Sequence, residues 1–236
     1  MFRTFIFYLF FFPWTLVASL IALCISLFGP DKTHSFVRFW GRSCLFFAGL
    51  KVQVLGVENI LYNRPAIYIS NHQSNFDIPI IYAGLPIQFR WMAKQELFRI
   101  PFFGLAMKRS GFISIDRSNR RTTMHSIIAA AQRIKEGTSV IIFPEGTRTT
   151  DGQLQEFKKG ALLIAVKAQV PVVPIAIHGS YQVQSKGQWK VDSGALTIDF
   201  LPPITTEGLK NTDLQTLTSE VHDKITNSLQ GATTHA

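Results

Sequence analysis

Hydrophobic and polar positions along this chain fall into short blocks that predict alternating strands and helices. Apolar runs bounded by turn residues predict strands at 51–55, 66–70, 88–92, 111–115, 139–143, 171–177 and 195–200. Apolar residues spaced three or four apart predict helices at about 77–83, 122–135, 158–168 and 212–229. Because strands alternate with helices, we predict an α/β fold in which helices flank a mixed, largely parallel sheet.

Three of these segments carry features that restrict the prediction. The apolar run 97–107 contains Pro101 and Gly104, so we expect at most a short or bent helix there. The strand at 171–177 contains prolines, which lack the amide that a sheet interior requires, so we expect an edge position or a strand end. The strand at 51–55 alternates apolar and polar residues and is predicted to lie at an edge.

The first 50 residues follow a different pattern. Residues 5–28 include no charged side chain, and as one helix they would extend roughly 36 Å, enough to cross a hydrocarbon core of about 30 Å. Residues 35–50 mix aromatic and aliphatic side chains with arginine, as helices in a membrane interface do. A cleaved signal peptide fits less well, since the apolar run is too long and no small-residue cleavage site follows it before Gly29.

Two arrangements of this N-terminal segment stay open. Either residues 5–28 span the bilayer, or two helices form a hairpin in one leaflet, with breaks at Pro13 and Gly29–Pro30. Basic residues after the apolar run outnumber Arg3 before it, so the positive-inside rule predicts that the rest of the chain is cytoplasmic. We therefore predict membrane-anchoring helices at 1–50, an α/β domain at 51–230 and a loose tail at 231–236.

The charge of the chain narrows the choice of partners. The formal net charge is +9 and the pI about 9.8, which favours anionic partners. No signature of a nucleic-acid-binding domain accompanies the charge, so we expect no nucleic acid and, beside an apolar N-terminus, an anionic membrane surface. Cys24 and Cys44 are too few for a disulfide scaffold and match no redox or metal motif, which favours a reducing compartment.

Candidate chemistry is concentrated at 71–77, directly after the buried strand at 66–70. Loops at the carboxyl ends of strands carry the reactive groups of many α/β folds. An imidazole can take up a proton near neutral pH, and Asp77 could hold the second ring nitrogen of His72. Together they have the parts of a general base aimed at a hydroxyl group.

A helix-capping box is the competing interpretation of the same residues. Ser74 would be the N-cap and Asp77 the third helical residue. Pro79 argues against that register, because it would fall where a helix needs an amide donor. A helix that begins nearer Phe76 would hold Pro79 in its first turn and leave Asp77 free to face His72.

Other predicted strands also end in polar loops. Residues 145–148, Glu-Gly-Thr-Arg, combine a carboxylate, a flexible glycine and a planar guanidinium that suits phosphate, although a surface turn with an ion pair fits as well. Asp116–Arg117 has the character of a surface turn, and Lys94 that of a solvated lysine. For His178, at the end of the strand 171–177, we expect a structural role.

Motifs for other chemistries do not occur in the sequence. It contains no Gly-x-Ser-x-Gly elbow, no P-loop and no Gly-x-Gly-x-x-Gly fingerprint. His72 has no second histidine or cysteine at metal-ligand spacing, so no metal site is expected.

Four blocks in order resemble a known family. They are Asn71–Asp77 with its His-x4-Asp spacing, Gly111–Arg117, Phe143–Arg148 and Val173–Gly179, and the segments 94–97 and 157–160 also fit. In these blocks the chain resembles the glycerophospholipid acyltransferases, most closely the bacterial 1-acyl-sn-glycerol-3-phosphate acyltransferases. The resemblance covers about residues 50–205, and an apolar N-terminus accords with it.

The resemblance implies acyl transfer from a thioester, acyl-CoA or acyl-carrier protein, to the sn-2 hydroxyl of lysophosphatidate. His72 would be the base and Asp77 its partner, without a cofactor, metal or covalent intermediate. The implied acceptor and phosphate site comprises Lys94, Arg117, Glu145, Gly146, Thr147 and Arg148. Two alternatives stay open: an enzyme for glycerol 3-phosphate or another lysophospholipid, and a non-catalytic membrane lipid-binding protein. The implied location is the cytoplasmic face of the cell membrane.

Overall fold

A computed structural model of the protein describes residues 1–100, 103–116 and 118–231. In these parts of the chain, seven strands form one sheet in the order β1-β7-β6-β2-β5-β3-β4. The strands are β1 Val52–Leu55, β2 Ile67–Ser70, β3 Arg90–Lys94, β4 Ile113–Ile115, β5 Val140–Ile142, β6 Val172–His178 and β7 Leu196–Phe200. All neighbouring pairs are parallel except β6 and β7, which are antiparallel. The predicted mixed, largely parallel sheet is confirmed.

Helices cover both faces of this sheet. They are α1 Phe2–Ile25, α2 Pro30–Phe47, α3 Asp77–Gly84, α4 Phe103–Arg109, α5 Arg120–Lys135, α6 Lys159–Ala168, α7 Ser180–Val183 and α8 Leu214–Gly231. Apolar residues of α5, α6 and α8 pack against one face, and those of α1, α2 and α3 against the other. Strand β2 serves both cores, since Ile67 and Ile69 face the first group and Tyr68 the second.

The strand β6 corrects one sequence prediction. It lies inside the sheet, between β2 and β7, although Pro174 is part of it. The antiparallel pairing of β6 with β7 runs from His178 to Ile175, and at Pro174 only the accepting half of a bond remains, from the Leu201 amide. The proline therefore stands where β7 has ended, so the amide that it lacks removes no bond from the regular pairing.

The segment 97–107 is divided, as its proline and glycine predict. A 3-10 helix covers Gln95–Arg99 and α4 begins at Phe103, with 101–102 outside the described residues. A Cβ on Gly104 would lie 2.1 Å from the Phe98 carbonyl oxygen, so only glycine allows the two segments to approach this closely. The tail beyond Gly231 also falls outside the described residues, whereas Gly231 itself ends α8.

The N-terminal helices form an antiparallel pair. Helix α1 continues through Pro13, so the predicted break at this residue is wrong, and the chain turns at Gly29 with φ of 106°. At the end of the helical pair remote from Gly29, Arg3 Nε donates to the Ala48 carbonyl oxygen at 2.9 Å. Midway, Trp14 Nε1 donates to Ser43 Oγ at 2.6 Å. The helix Phe2–Phe28 is long and apolar enough to cross a membrane, by length and composition.

This helical pair also contacts the rest of the fold. Phe7 is buried, and its ring centroid lies 5.5 Å from that of Phe76, directly before α3. Leu45 of α2 and Ala48, directly after this helix, belong to the same core. The division of the chain into an anchor and a domain at residue 50 stays a prediction.

Candidate active site

His72 and Asp77 face each other where β2 gives way to α3. His72 Nδ1 lies 2.7 Å from Asp77 Oδ2. Asp77 is fully buried, and the side chain of His72 is 17% exposed. Because Asp77 holds Nδ1, Nε2 is the ring nitrogen that can meet a substrate.

The start of α3 determines where the Asp77 carboxylate points. The helix begins at Asp77 after Phe76, has no side-chain cap, and holds Pro79 in its first turn, where proline is tolerated. Ser74 is therefore not the N-cap, and its hydroxyl does not cap the helix. Asp77 Oδ2 nevertheless accepts the backbone amide of Ser74 at 2.8 Å, the other half of a capping box, and that of Gln73 at 2.7 Å. These bonds fix the carboxylate before any substrate arrives.

An aromatic ring packs against one face of the His72 imidazole. The rings of His72 and Phe143 stack with centroids 3.9 Å apart and planes 8° apart. Phe143 in turn stacks on Trp91 of β3 at 5.4 Å. With Asp77 at one nitrogen and Phe143 against one face, the orientation of the imidazole is set. Sequence reasoning missed this role of Phe143, because the stacking requires β2 and β5 to be neighbours.

Glu145 fixes the backbone of His72 from the neighbouring loop. Its Oε1 accepts the His72 amide at 2.6 Å, and its Oε2 accepts the Gln155 amide at 3.2 Å. The Thr149 amide donates to the His72 carbonyl oxygen at 3.0 Å. Gly146, with φ of 73°, provides the left-handed turn that lets this loop fold back toward β2. Glu145 thus acts here as a brace for the loop that carries His72.

Burial of Glu145 makes stability depend on pH. Loss of solvent raises the pKa of this carboxyl from 4.5 to about 7, against the effect of the two amide bonds. Between these pH values Glu145 binds more protons in the folded protein than in the unfolded chain. Its protonation therefore contributes to the free energy of unfolding, fully below pH 4.5, and this contribution is lost as the pH rises through 7. We expect Glu145→Gln to unfold with less loss of stability between pH 5 and 8 than the unsubstituted protein. Thermal unfolding in detergent at several pH values measures the difference, and parallel pH profiles would contradict it.

The side chains at 147 and 148 lie beside the loop that follows β2. Arg148 Nη1 donates to Asn75 Oδ1 at 2.6 Å. Lys186 Nζ donates to Thr147 Oγ1 at 3.3 Å and to the Arg148 carbonyl oxygen at 3.2 Å. Arg148 therefore contacts the loop that follows β2, and Lys186 contacts the loop that follows β5. Sequence reasoning missed Lys186, which stands in no recognisable motif.

The other predicted site residues are placed less closely. Lys94 ends β3, which lies two strands from β2 in the sheet. By strand spacing, the backbone of Lys94 is roughly 10 Å from that of β2. Within the described part of the chain, its side chain has no hydrogen bond or ion pair. Arg117 lies outside the described residues. His178 faces away from His72, toward α8, where its Nε2 lies 3.3 Å from Ser228 Oγ.

Among the described residues, no group of three or more His, Cys, Asp or Glu side chains has an arrangement that could hold a metal ion. The site consists of a buried carboxylate, an imidazole and nearby basic side chains, at the carboxyl ends of the parallel strands β2 and β5.

Known proteins are similar to this chain in sequence and in fold. The acyltransferase family model matches residues 51–178, more than half of the 236 residues. The human 1-acyl-sn-glycerol-3-phosphate acyltransferase beta is 33% identical over 207 residues, which cover 87% of this chain and 74% of that protein. The chloroplastic 1-acyl-sn-glycerol-3-phosphate acyltransferase LPAT1 of Arabidopsis thaliana is 33% identical over 208 residues, which cover 87% of this chain.

The similarity extends to a solved structure. The crystal structure of the 1-acyl-sn-glycerophosphate (LPA) acyltransferase PlsC from Thermotoga maritima matches with a TM-score of 0.79 and 29% identity, over 98% of this chain and 95% of that one. By contrast, the match spans 57% of the length of the Arabidopsis relative. The family match over residues 51–178 and the human relative, matched along most of its length, show that this chain belongs to the acyltransferase family.

Proposed function

We propose that this protein transfers a fatty acyl group from a thioester to the sn-2 hydroxyl of 1-acyl-glycerol-3-phosphate, giving phosphatidate. The observation that carries the proposal is the contact between His72 Nδ1 and the buried Asp77 carboxylate, which leaves Nε2 for a hydroxyl proton. The proposal also draws on the similarity to proteins named for this activity, in bacteria, plants and mammals.

In the proposed reaction, His72 Nε2 takes the proton of the acceptor hydroxyl as its oxygen attacks the thioester carbonyl carbon. A C–O bond forms, the C–S bond breaks, and the proton passes from the imidazolium to the leaving thiolate. Asp77 stabilises the imidazolium through Nδ1 and holds the ring in the required tautomer. Base catalysis of this kind contributes about 10²–10⁴ in rate.

We propose that Arg148 binds the acceptor phosphate. Its side chain donates to Asn75, in the same loop as His72. Its planar fork can donate two parallel hydrogen bonds to phosphate oxygens. Lys94, at the end of β3, would contribute longer-range positive charge, and Glu145, Gly146 and Thr147 would shape the loop. The role of Arg117 stays a prediction from the sequence.

For the membrane surface we propose the exposed face of α1. Exposed apolar residues there recur at helical spacing and form one stripe, of Phe5, Leu9, Phe12, Leu16 and Leu20. The exposed Trp189 lies beside it, with its ring centroid 6.4 Å from that of Phe12. Tryptophan at the margin of an apolar surface is typical of a membrane interface. The basic residues of the chain favour the cytoplasmic, anionic face of the membrane.

This surface predicts the effect of charges on α1. We expect the double variant Leu16→Glu, Leu20→Glu to bind vesicles of phosphatidylcholine and phosphatidylglycerol much more weakly, since each buried charge costs about 2.5–3.5 kcal/mol. The matched control is Met124→Glu, Ile128→Glu, at exposed apolar positions of α5, across the sheet from α1. Co-sedimentation measures both. Equal vesicle binding by the two variants would exclude the α1 stripe as the membrane surface.

The choice of substrates is tested by an acceptor and donor panel on detergent-solubilised protein. The acceptors are 1-acyl-glycerol-3-phosphate, glycerol 3-phosphate and lysophosphatidylcholine, each offered with acyl-CoA and with acyl-carrier protein. We expect the highest kcat/KM for 1-acyl-glycerol-3-phosphate. A preference for either other acceptor would replace the proposed substrate, and lipid binding without turnover would favour a non-catalytic lipid-binding role.

A further inference from the structure

One segment connects the N-terminal helix to the candidate active site. This bridging segment, residues 184–191, follows α7 and touches the first turns of α1. The Val191 amide donates to Thr4 Oγ1 at 3.1 Å, and the ring centroids of Trp189 and Tyr8 are 5.1 Å apart. At its other end, Lys186 bonds to the loop of Arg148.

Gln184 is the best-connected residue of the bridging segment. It is 5% exposed. Its Nε2 donates to the Tyr8 hydroxyl oxygen at 2.8 Å and to the Gln188 carbonyl oxygen at 3.1 Å. Its Oε1 accepts from Asn75 Nδ2 at 3.4 Å. Both ends of this buried amide therefore have partners, and its orientation is fixed.

The hydrogen bonds continue from Asn75 to Arg148, the candidate phosphate-binding residue. Asn75 donates to Gln184 through Nδ2 and accepts from Arg148 Nη1 through Oδ1, so each end of its amide has one partner. Tyr8, Gln184, Asn75 and Arg148 thus form one line of side-chain hydrogen bonds, which we call the relay. It joins a helix of the N-terminal pair to the loop after β5.

We propose that Tyr8, Gln184 and Asn75 are positioning residues for Arg148, so that α1 helps to set the affinity for the acceptor as well as the attachment to membranes. A free arginine side chain loses rotamer entropy when a ligand orders it. The bond to Asn75 restrains Arg148 beforehand, and the bonds of Gln184 and Tyr8 restrain Asn75 in turn. The inference rests on the proposed role of Arg148 in binding the acceptor phosphate.

A purely structural role for the relay predicts a different outcome. If these bonds only hold the bridging segment in place, their loss lowers stability and reduces the amount of active protein. That change lowers the apparent kcat and leaves both KM values as they were. A relay that positions Arg148 raises the acceptor KM and leaves the donor KM unchanged.

The test is Tyr8→Phe, which removes one hydroxyl group from the relay and keeps the aromatic ring. The matched control is Tyr62→Phe at an exposed tyrosine before β2, at the opposite end of that strand from His72. We expect the acceptor KM to rise about threefold in Tyr8→Phe, within the range for one uncharged hydrogen bond, and not in Tyr62→Phe. Vesicle binding and the donor KM should match those of the unsubstituted protein.

A double variant tests the path itself. Asn75→Ala should raise the acceptor KM, and adding Tyr8→Phe should raise it no further, because the connection to Arg148 is already lost. Multiplying effects, or equal rises in both KM values, would overturn the relay. So would an unchanged acceptor KM in Tyr8→Phe when Arg148→Ala raises it, and that result leaves the proposed function intact. An unchanged acceptor KM in Arg148→Ala would remove the assigned role of Arg148 and the relay with it.

Discussion

Replacement of His72 by alanine is expected to lower kcat by about 10²–10⁴, the contribution of a positioned general base. The fold should survive, because the bonds that fix this loop use the backbone of His72, which alanine keeps. Its amide donates to Glu145 and its carbonyl oxygen accepts from Thr149. Steady-state kinetics and thermal unfolding of the purified variant measure the two effects separately.

Asp77→Asn is the companion substitution. It keeps the size of a fully buried side chain and removes the negative charge that stabilises the imidazolium. We expect kcat to fall here too, because the amide no longer favours the tautomer that leaves Nε2 free to take a proton. If His72→Ala kept more than about a tenth of the original kcat, the proposed base would be wrong.

The second large effect is expected from Arg148→Ala. Loss of a charge-assisted contact of about 1.5–3 kcal/mol should raise the acceptor KM roughly ten- to a hundredfold. Arg148→Lys should restore only part of the affinity, because lysine keeps the charge and loses the fork. The donor KM should change little. Initial rates with each substrate varied in turn distinguish the two constants.

A matched control separates local charge from the overall basic field of the protein. Arg64→Ala removes the same charge from an exposed position before β2, at the end of the strand remote from His72. We expect no change in the acceptor KM of this variant. A larger effect of Arg148→Ala on the donor KM than on the acceptor KM would assign the 145–148 loop to the thioester.

The sequence was informative wherever the deciding contacts are local. His72 and Asp77 are five residues apart, and a buried strand before them and a proline after them determine how they face each other. The loop 145–148 was identifiable for a related reason, since it follows another apolar run. Parallel strands bring their carboxyl ends to one edge, so the proximity of the two loops follows from the predicted fold.

What the sequence left unpredicted depends on contacts between remote segments. The bond between Gln184 and Tyr8 joins residues 176 positions apart, and that between Asn75 and Gln184 joins residues 109 apart. The local sequence around Tyr8, Gln184 and Asn75 does not indicate which side chains these residues contact. The stacking of Phe143 on His72 likewise depends on strand order. These residues come together only in the tertiary structure.

Proline in β6 led to a further difference. A proline inside a strand usually indicates an edge, because proline has no amide hydrogen to donate to a neighbouring strand. Here β7 ends beside Pro174, so an interior strand accommodates it. That exception depends on the length of a strand that follows more than twenty residues later, and local sequence carries no information about it.

His72, held by Asp77, is proposed to drive acyl transfer to a lipid hydroxyl. This claim is tested by measuring thiol release and phosphatidate formation together, from an acyl thioester and 1-acyl-glycerol-3-phosphate in mixed micelles. We predict one phosphatidate per thiol, with the new acyl group at sn-2, and a loss of both products in His72→Ala by the same factor. Thiol release without phosphatidate, or phosphatidate formed by His72→Ala at the original rate, would contradict the claim.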